Sequence, residues 1–255
     1  MHVQSIMSKS STPLTEIFSS IQGEGMLAGY RQIFIRFPVC NLSCQYCDTI
    51  LIAGDHCMVH GADPNDPMKE IAQPITGTQV LDYIHEQCRR FPGLHHSISI
   101  TGGEPLLHDE ILADWLPEFN ILLPIHLETN GTCPDALGRL IQHIDYISMD
   151  IKLPSVTATS PQWDLHQAFL SVAVERDLSV KLVTSETTSD SDLKRAAQLV
   201  AECDPEIPCF LQPVTASDGT VAVSAATLFR QQALLARQLD DIRIIPQFHR
   251  FMGVL

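Results

Sequence analysis

Ile33-Phe34-Ile35-Arg36-Phe37-Pro38-Val39-Cys40-Asn41-Leu42-Ser43-Cys44-Gln45-Tyr46-Cys47 joins a short apolar run to a loop with three cysteines. The apolar run over 33–37 reads as a strand, with the cysteine loop directly after it. The pattern repeats downstream: apolar segments over 97–101, 126–129, 146–151, 179–183 and 209–212 read as strands, with a short one at 241–245. Helical periodicity lies between them. Val80, Ile84 and Cys88 recur four apart over 80–90, and two more helices are predicted over 192–202 and 225–238, the former capped by Asp190 or Ser191. Strands alternating with helices require crossovers and a parallel sheet. Six such units fall short of the eight of a closed barrel, so the expected fold is a partial, open (β/α)6-type TIM-like barrel, its chemistry at the carboxyl ends of the strands.

Bulk properties bound the rest. With 255 residues, 45% apolar and 18% charged, the chain suits one α/β domain over 15–255, after a flexible lead-in over 1–14. Residues 50–76, with Pro64, Pro67 and Pro74, read as a long loop after the cysteine motif. A formal net charge of −14 argues against a nucleic-acid surface, which needs clustered Lys and Arg. No apolar stretch is long enough to span a bilayer and no signal peptide is evident, so a cytoplasmic, membrane-free location is expected. In that reducing setting the eight cysteines read as thiols or metal ligands rather than disulfides. Cys88 and Cys209 read as core thiols; Cys57 lies in the long loop beside His56 and His60, where a metal reading is open.

The C-x3-C-x2-C spacing of Cys40, Cys44 and Cys47 suits three corners of a [4Fe–4S] cubane, each iron taking one thiolate. The fourth iron then has no protein ligand, and S-adenosylmethionine (SAM) can chelate it through its amino and carboxylate groups. Zinc is the bland alternative, but structural zinc sites pair two ligand clusters, and the other cysteines stand alone.

Tyr46 before the last cysteine makes this loop resemble the cluster signature of the radical SAM superfamily. Thr101-Gly102-Gly103-Glu104-Pro105, after the second strand, resembles that superfamily's glycine–glycine–glutamate motif. Ile17-Phe18-Ser19-Ser20-Ile21-Gln22-Gly23-Glu24-Gly25, then Phe34 to Phe37 running into Cys40-Asn41-Leu42, Cys47-Asp48-Thr49, and Pro246-Gln247-Phe248-His249-Arg250 narrow the resemblance to the 7-carboxy-7-deazaguanine synthase family, across nearly the whole chain. The resemblance implies a lyase of the queuosine and 7-deazapurine pathway. Its substrate would be 6-carboxy-5,6,7,8-tetrahydropterin, contracted to 7-carboxy-7-deazaguanine with loss of ammonia. A deoxyadenosyl radical would take a hydrogen from the pterin and return one, so that SAM is regenerated. Mg²⁺, a reductant such as flavodoxin or ferredoxin, and a homodimer are expected as well.

Site residues follow from the same resemblance. The cluster falls to Cys40, Cys44 and Cys47, and Mg²⁺ to Thr49. SAM falls to Tyr46, Asp48, Gly103, Glu104, Ser148, Asp150, Lys152 and Gln212, with Glu104 accepting from the SAM ammonium. The pterin falls to Ile21, Gln22, Gly23, Glu24, Arg36, Thr101, His249 and Leu255, Arg36 offering a guanidinium fork to the carboxylate. Simpler roles stay open. Arg36 also reads as a surface residue of an edge strand, Thr49 as a helix cap, Lys152 as the ion-pair partner of Asp150, and His249 as an anchor of the C-terminal segment. The superfamily's GxIxG stretch is not recognisable around 181–183. Two other functions compete: an activating enzyme that makes a glycyl radical on a partner protein, and a non-catalytic iron–sulfur or zinc protein.

Overall fold

In the strand Ser97–Gly102, Ser97, Ser99 and Thr101 alternate with Ile98 and Ile100, and the isoleucines are fully buried. A two-residue period puts successive side chains on opposite faces of a sheet. Neighbouring strands carry the same alternation, so the sheet has one apolar face, covered by helices, and one polar face. Burying each such isoleucine contributes about 1.5–3 kcal/mol, which pins the register.

The computed structural model describes residues 10–47, 53–63, 65–216 and 218–254. In chain order its elements are β1 (Ser11–Thr12), β2 (Glu16–Ile21), β3 (Arg31–Phe37), β4 (His56–Val59), β5 (Lys69–Ala72), β6 (Ile75–Thr76), α1 (Gly77–Arg90), β7 (Ser97–Gly102), α2 (Asp109–Asn120), β8 (Ile125–Thr129), α3 (Pro134–Leu140), β9 (Tyr146–Asp150), α4 (Pro154–Thr157), α5 (Trp163–Ala173), β10 (Asp177–Thr184), α6 (Asp190–Cys203), β11 (Cys209–Pro213), α7 (Ala225–Leu235), β12 (Ile242–Ile244) and α8 (Phe248–Met252). The main sheet has ten strands in the order β12-β11-β10-β9-β8-β7-β3-β2-β4-β5. Seven of them, β3 and β7 to β12, run parallel and are joined by helical crossovers. β12 and β5 end the sheet without pairing to each other, so it stays open, as expected for a partial barrel.

Ile33, Ile35 and Phe37 of β3, Leu127 of β8, Ile147 and Met149 of β9, and Val180 and Leu182 of β10 form the apolar face. Val80 and Ile84 of α1 and Trp115 of α2 pack in the same cluster. The start of α1 is set by a reciprocal capping box, Gln79 N donating to Thr76 Oγ1 and Thr76 N to Gln79 Oε1. α6 is capped by Ser189 rather than by Asp190 or Ser191; its hydroxyl accepts from Ser191 N.

Three expectations change. The strand over 33–37 is not an edge: β2 pairs antiparallel to it on one side and β7 parallel on the other. The long loop over 50–76 instead contains β4 and β5, an antiparallel pair that extends the sheet past β2, together with β6. Cys57 is a fully buried residue of β4, so it is a core thiol. These strands are short and β5 reads Lys-Glu-Ile-Ala at an exposed edge, which is why no alternation marks them. Within the lead-in over 1–14, Ser11–Thr12 pairs with Ile75–Thr76 and Leu14 is fully buried. The tertiary partner, not local composition, orders that segment.

Candidate active site

The cysteine loop leaves the carboxyl end of β3 and is fastened by the next parallel strand. Gly103 N donates to Phe37 O at 2.9 Å and Glu104 N to Val39 O at 2.7 Å. The two glycines are needed for this approach: a Cβ at Gly102 would run into Phe37 O, and one at Gly103 into Val39 O. The pair therefore brings backbone against the cluster loop. Gln45 N donates to Thr157 O on α4, and Asn130 Nδ2 donates to Asn41 Oδ1 at 2.9 Å and towards Cys40 Sγ at 3.8 Å.

Cys40, Cys44 and Cys47 are free thiols that line one cavity. Burial pushes the Cys44 thiol up, against the pull of Lys152. Among the described residues, no three Cys, His, Asp or Glu side chains converge on a single ion. A cubane asks for something else, since each thiolate takes a different iron. Three thiols spread along one fastened loop, with no second cysteine pair beside them, are a donor set that fits the cluster.

The cavity encloses about 600 Å³, within the usual range for a small-molecule site. The polar faces of the parallel strands form it: Arg36 from β3, Thr101 from β7, Glu128 from β8, Ser148 and Asp150 from β9, Ser179 and Lys181 from β10, and Gln212 from β11. A closed barrel fills this space with branched apolar residues. Here the interior has been left to polar groups.

An alternating row of charges crosses the cavity. Glu24 meets Lys181 at 2.5 Å, Lys181 meets Asp150 at 3.3 Å, and Asp150 meets Lys152 at 2.9 Å. Lys152 then donates to the Tyr46 hydroxyl at 3.3 Å and lies 5.4 Å from the ring centroid. The ordinary ion pair of Lys152 with Asp150 is thus present, but largely buried and part of a chain. Burial raises the Glu24 carboxyl, yet Lys181, Gln247 and His249 outweigh it and hold the group at about 2. Burial lowers Lys181 and Lys152, and their carboxylate neighbours more than reverse this, so both amines titrate above their ordinary range. The Tyr46 hydroxyl is pushed up by burial and by Asp150. Asp150 Oδ1 is buried without a hydrogen-bond partner among the described residues.

Glu104 differs from these. It is fully buried behind Gly103, does not line the cavity, and accepts from Leu106 N, Thr129 Oγ1 and Asn130 N at 3.1, 2.9 and 2.7 Å. Burial raises its carboxyl to about 7, because its donors are neutral and only Lys152 helps from a distance. A carboxylate offers about four acceptor positions, so three bonds leave one for an ammonium. It is a buried acid short of a cation, set behind the wall at Gly103 rather than on the cavity itself.

Most residues expected to meet substrate share this cavity. Ile21, Gln22, Gly23, Glu24, Arg36, Thr101 and His249 all line the cavity. Gln22 Nε2 donates to Glu128 Oε1 at 2.9 Å and Gln32 Oε1 at 3.1 Å, and its own Oε1 accepts from Glu24 N. Arg36 Nε donates to Glu16 at 2.6 Å and its guanidinium stacks 5.3 Å from the Phe18 centroid. Its two Nη atoms have no partner among the described residues. Gly23 O accepts from Phe248 N, and a Cβ at Gly23 would collide with His249, so this glycine seats the C-terminal segment. Asp48, Thr49 and Leu255 lie outside the described residues.

Four residues of this site were missed from the sequence: Glu128, Asn130, Lys181 and Gln247. Two had a usable signal. Glu128 and Lys181 occupy the polar phase of an alternation (His126, Glu128; Ser179, Lys181) in strands whose other phase is apolar up to the closing threonine (Ile125, Leu127; Leu178, Val180, Leu182), which marks a polar interior.

Comparison with known proteins agrees with this geometry. The radical SAM superfamily model matches residues 34–158, the stretch from β3 to the α4 turn. A 7-carboxy-7-deazaguanine synthase from Geobacter sulfurreducens is 44% identical over 98% of this chain and 100% of its own length. Another from Methanothermobacter thermautotrophicus is 32% identical over 95% and 97%. The crystal structure of QueE from Escherichia coli superposes with a TM-score of 0.56 over 94% of this chain and 95% of that one, at 21% identity, which shows the fold. Full-length identity of this order, on a site whose cluster loop and glycine pair are built as one unit, means that the chain belongs to the 7-carboxy-7-deazaguanine synthase family of the radical SAM superfamily.

Proposed function

We propose that this chain converts 6-carboxy-5,6,7,8-tetrahydropterin to 7-carboxy-7-deazaguanine with loss of ammonia, as a lyase of queuosine and 7-deazapurine biosynthesis. The observation that carries this reading is a shared cavity, lined both by Cys40, Cys44, Cys47 and Gly103 and by Gln22, Glu24, Arg36 and Thr101. When bound, the cluster and SAM supply one-electron chemistry that removes and returns a hydrogen atom on the substrate. The chain holds and orients. Arg36, whose Nη atoms have no partner among the described residues, receives the substrate carboxylate in a fork. Glu24 and Glu128 accept N–H bonds from the heterocycle, and Gln22 fixes the loop between them. By the family resemblance Glu104 would receive the SAM ammonium from behind Gly103, and Ser148, Asp150, Lys152, Tyr46 and Gln212, which line the cavity, would meet the rest of SAM. Residues of β2, α8 and the cysteine loop contribute to the walls of the cavity.

Mg²⁺ through Thr49, Asp48 toward SAM and Leu255 toward substrate are carried from the family resemblance. So are a flavodoxin or ferredoxin reductant, a homodimer and a cytoplasmic setting. No helix among the described residues is long and apolar enough to cross a membrane.

The test is anaerobic reconstitution, reduction, and addition of SAM, Mg²⁺ and the carboxytetrahydropterin. The expected outcome is the deazaguanine by absorbance and mass with SAM recovered. SAM consumed one for one without product would favour an activating enzyme, and a colourless zinc-binding protein would end the enzyme reading.

A further inference from the structure

Lys181 stands on β10, where the superfamily's GxIxG stretch is not recognisable, and no role for it follows from the motifs. Its side chain is 19% exposed, and Nζ reaches Glu24 Oε2 at 2.5 Å and Asp150 Oδ2 at 3.3 Å. Ser179 and Val183 flank it on the cavity-facing side of the strand. On the other side of Glu24, Oε1 accepts from Gln247 Nε2 at 2.8 Å and Gln212 Nε2 at 3.1 Å. Glu24 follows β2 in the loop that carries the expected pterin contacts, and Asp150 ends β9 on the expected SAM side. One amine therefore joins two segments that are expected to serve different ligands.

Most of the Glu24 side chain is out of water, and a carboxylate so placed stays anionic only beside a cation. Lys181 is the cation that the structure puts in bonding contact. An ionised Glu24 is acceptor-only, so every free lone pair selects an N–H donor on the ligand; a protonated one would turn a donor towards the same edge. Because β10 is a central strand with Val180 and Leu182 fully buried on its other face, Nζ is delivered from a rigid base.

We propose that Lys181 is a positioning residue: it fixes Glu24 as an anionic acceptor at the substrate end of the cavity, selecting a heterocycle that presents N–H donors there. The inference deepens the pterin reading and rests on it. Lys181 touches no ligand in this account; it acts through Glu24.

The experiment uses the anaerobically reconstituted full chain with SAM, Mg²⁺ and the carboxytetrahydropterin. Lys181→Met should raise KM for the pterin at least tenfold while kcat falls less than threefold. Lys181→Arg, which keeps the charge, should stay within threefold of wild type in KM. In a double-mutant cycle, Glu24→Gln with Lys181→Met should be no worse than Glu24→Gln alone, because the lysine has lost the group it serves. Should K181M fail to load its cluster, Lys181→Gln gives the same readout, again with a tenfold rise expected. A KM within twofold of wild type in K181M or K181Q overturns the proposal. So do single effects that multiply in the double variant, and K181R as impaired as K181M with kcat falling in step. If wild type, with cluster loaded, makes no deazaguanine, the pterin reading itself fails; if it does and KM does not move, only the role of Lys181 fails.

Discussion

Glu24, which lines the cavity, and Glu104, buried behind its wall, are two largely buried carboxylates whose protonation moves in opposite directions. Glu24 faces Lys181, Gln212 and Gln247 and is held at about 2. Glu104 faces two backbone amides and a threonine hydroxyl and is raised to about 7. Both accept three hydrogen bonds, so bond number does not separate them. The difference is a full positive charge in contact, and it teaches that one touching cation, not the number of hydrogen bonds, decides which buried carboxylate stays ionised.

The largest expected break comes from Glu24→Leu, which leaves Lys181 with only the longer contact to Asp150. Removing one member of a buried pair costs about 3–5 kcal/mol, and the residual exposure of 16% and 19% places this case near the lower end. Urea unfolding of the apoprotein reads it; a loss below about 1 kcal/mol would mean that water or Asp150 already satisfies the amine.

A pH series sharpens the same contrast. Glu104 keeps its proton in the native state up to about 7, while the unfolded chain releases it near the ordinary 4.5. Its contribution to stability therefore falls as pH rises through that window, by about 3 kcal/mol in all. Stability of wild type relative to Glu104→Gln should decline over this range. Glu24 has the opposite sign: its contribution is present above about 4.5 and is lost as pH falls towards 2. A wild-type minus E104Q difference that is flat in pH contradicts the burial argument.

Ligand affinity should split as well. Glu104→Gln weakens SAM binding by about ten- to a hundredfold, the scale of a hydrogen bond to a charged group at about 1.5–3 kcal/mol. Glu24→Gln moves the pterin KM instead. Equilibrium binding of SAM to the reconstituted protein, set beside steady-state kinetics, separates the two; equal effects on both ligands would dissolve the contrast.

The smallest effect belongs to Glu16→Gln. Its pair with Arg36 lies at 2.6 Å but with both side chains a fifth or more exposed, so thermal unfolding should register less than about 1 kcal/mol. A larger loss would show that closeness alone, without burial, makes these pairs strong.

Much of this was readable in the residues. The apolar runs after 33, 97, 126, 146, 179 and 209 lie within observed strands, because buried parallel strands must be apolar on the helix-covered face whatever surrounds them. The cysteine spacing and the glycine pair marked the loop after β3 for a similar reason: a cluster and a close backbone approach leave few residue types to choose from. By contrast β4 and β5 carry no internal pattern, and they exist because β2 offers an open edge for pairing.

What the residue order determined by itself was local: which segments alternate, where thiols can reach a cubane, and where only glycine fits. Tertiary structure decided the rest. Glu24 and Lys181 stand 157 positions apart, and Asn130 reaches Cys40 across 90. No spacing rule links such pairs; parallel strands bring their ends together at one edge, and there burial converts scattered charges into a single electrostatic unit.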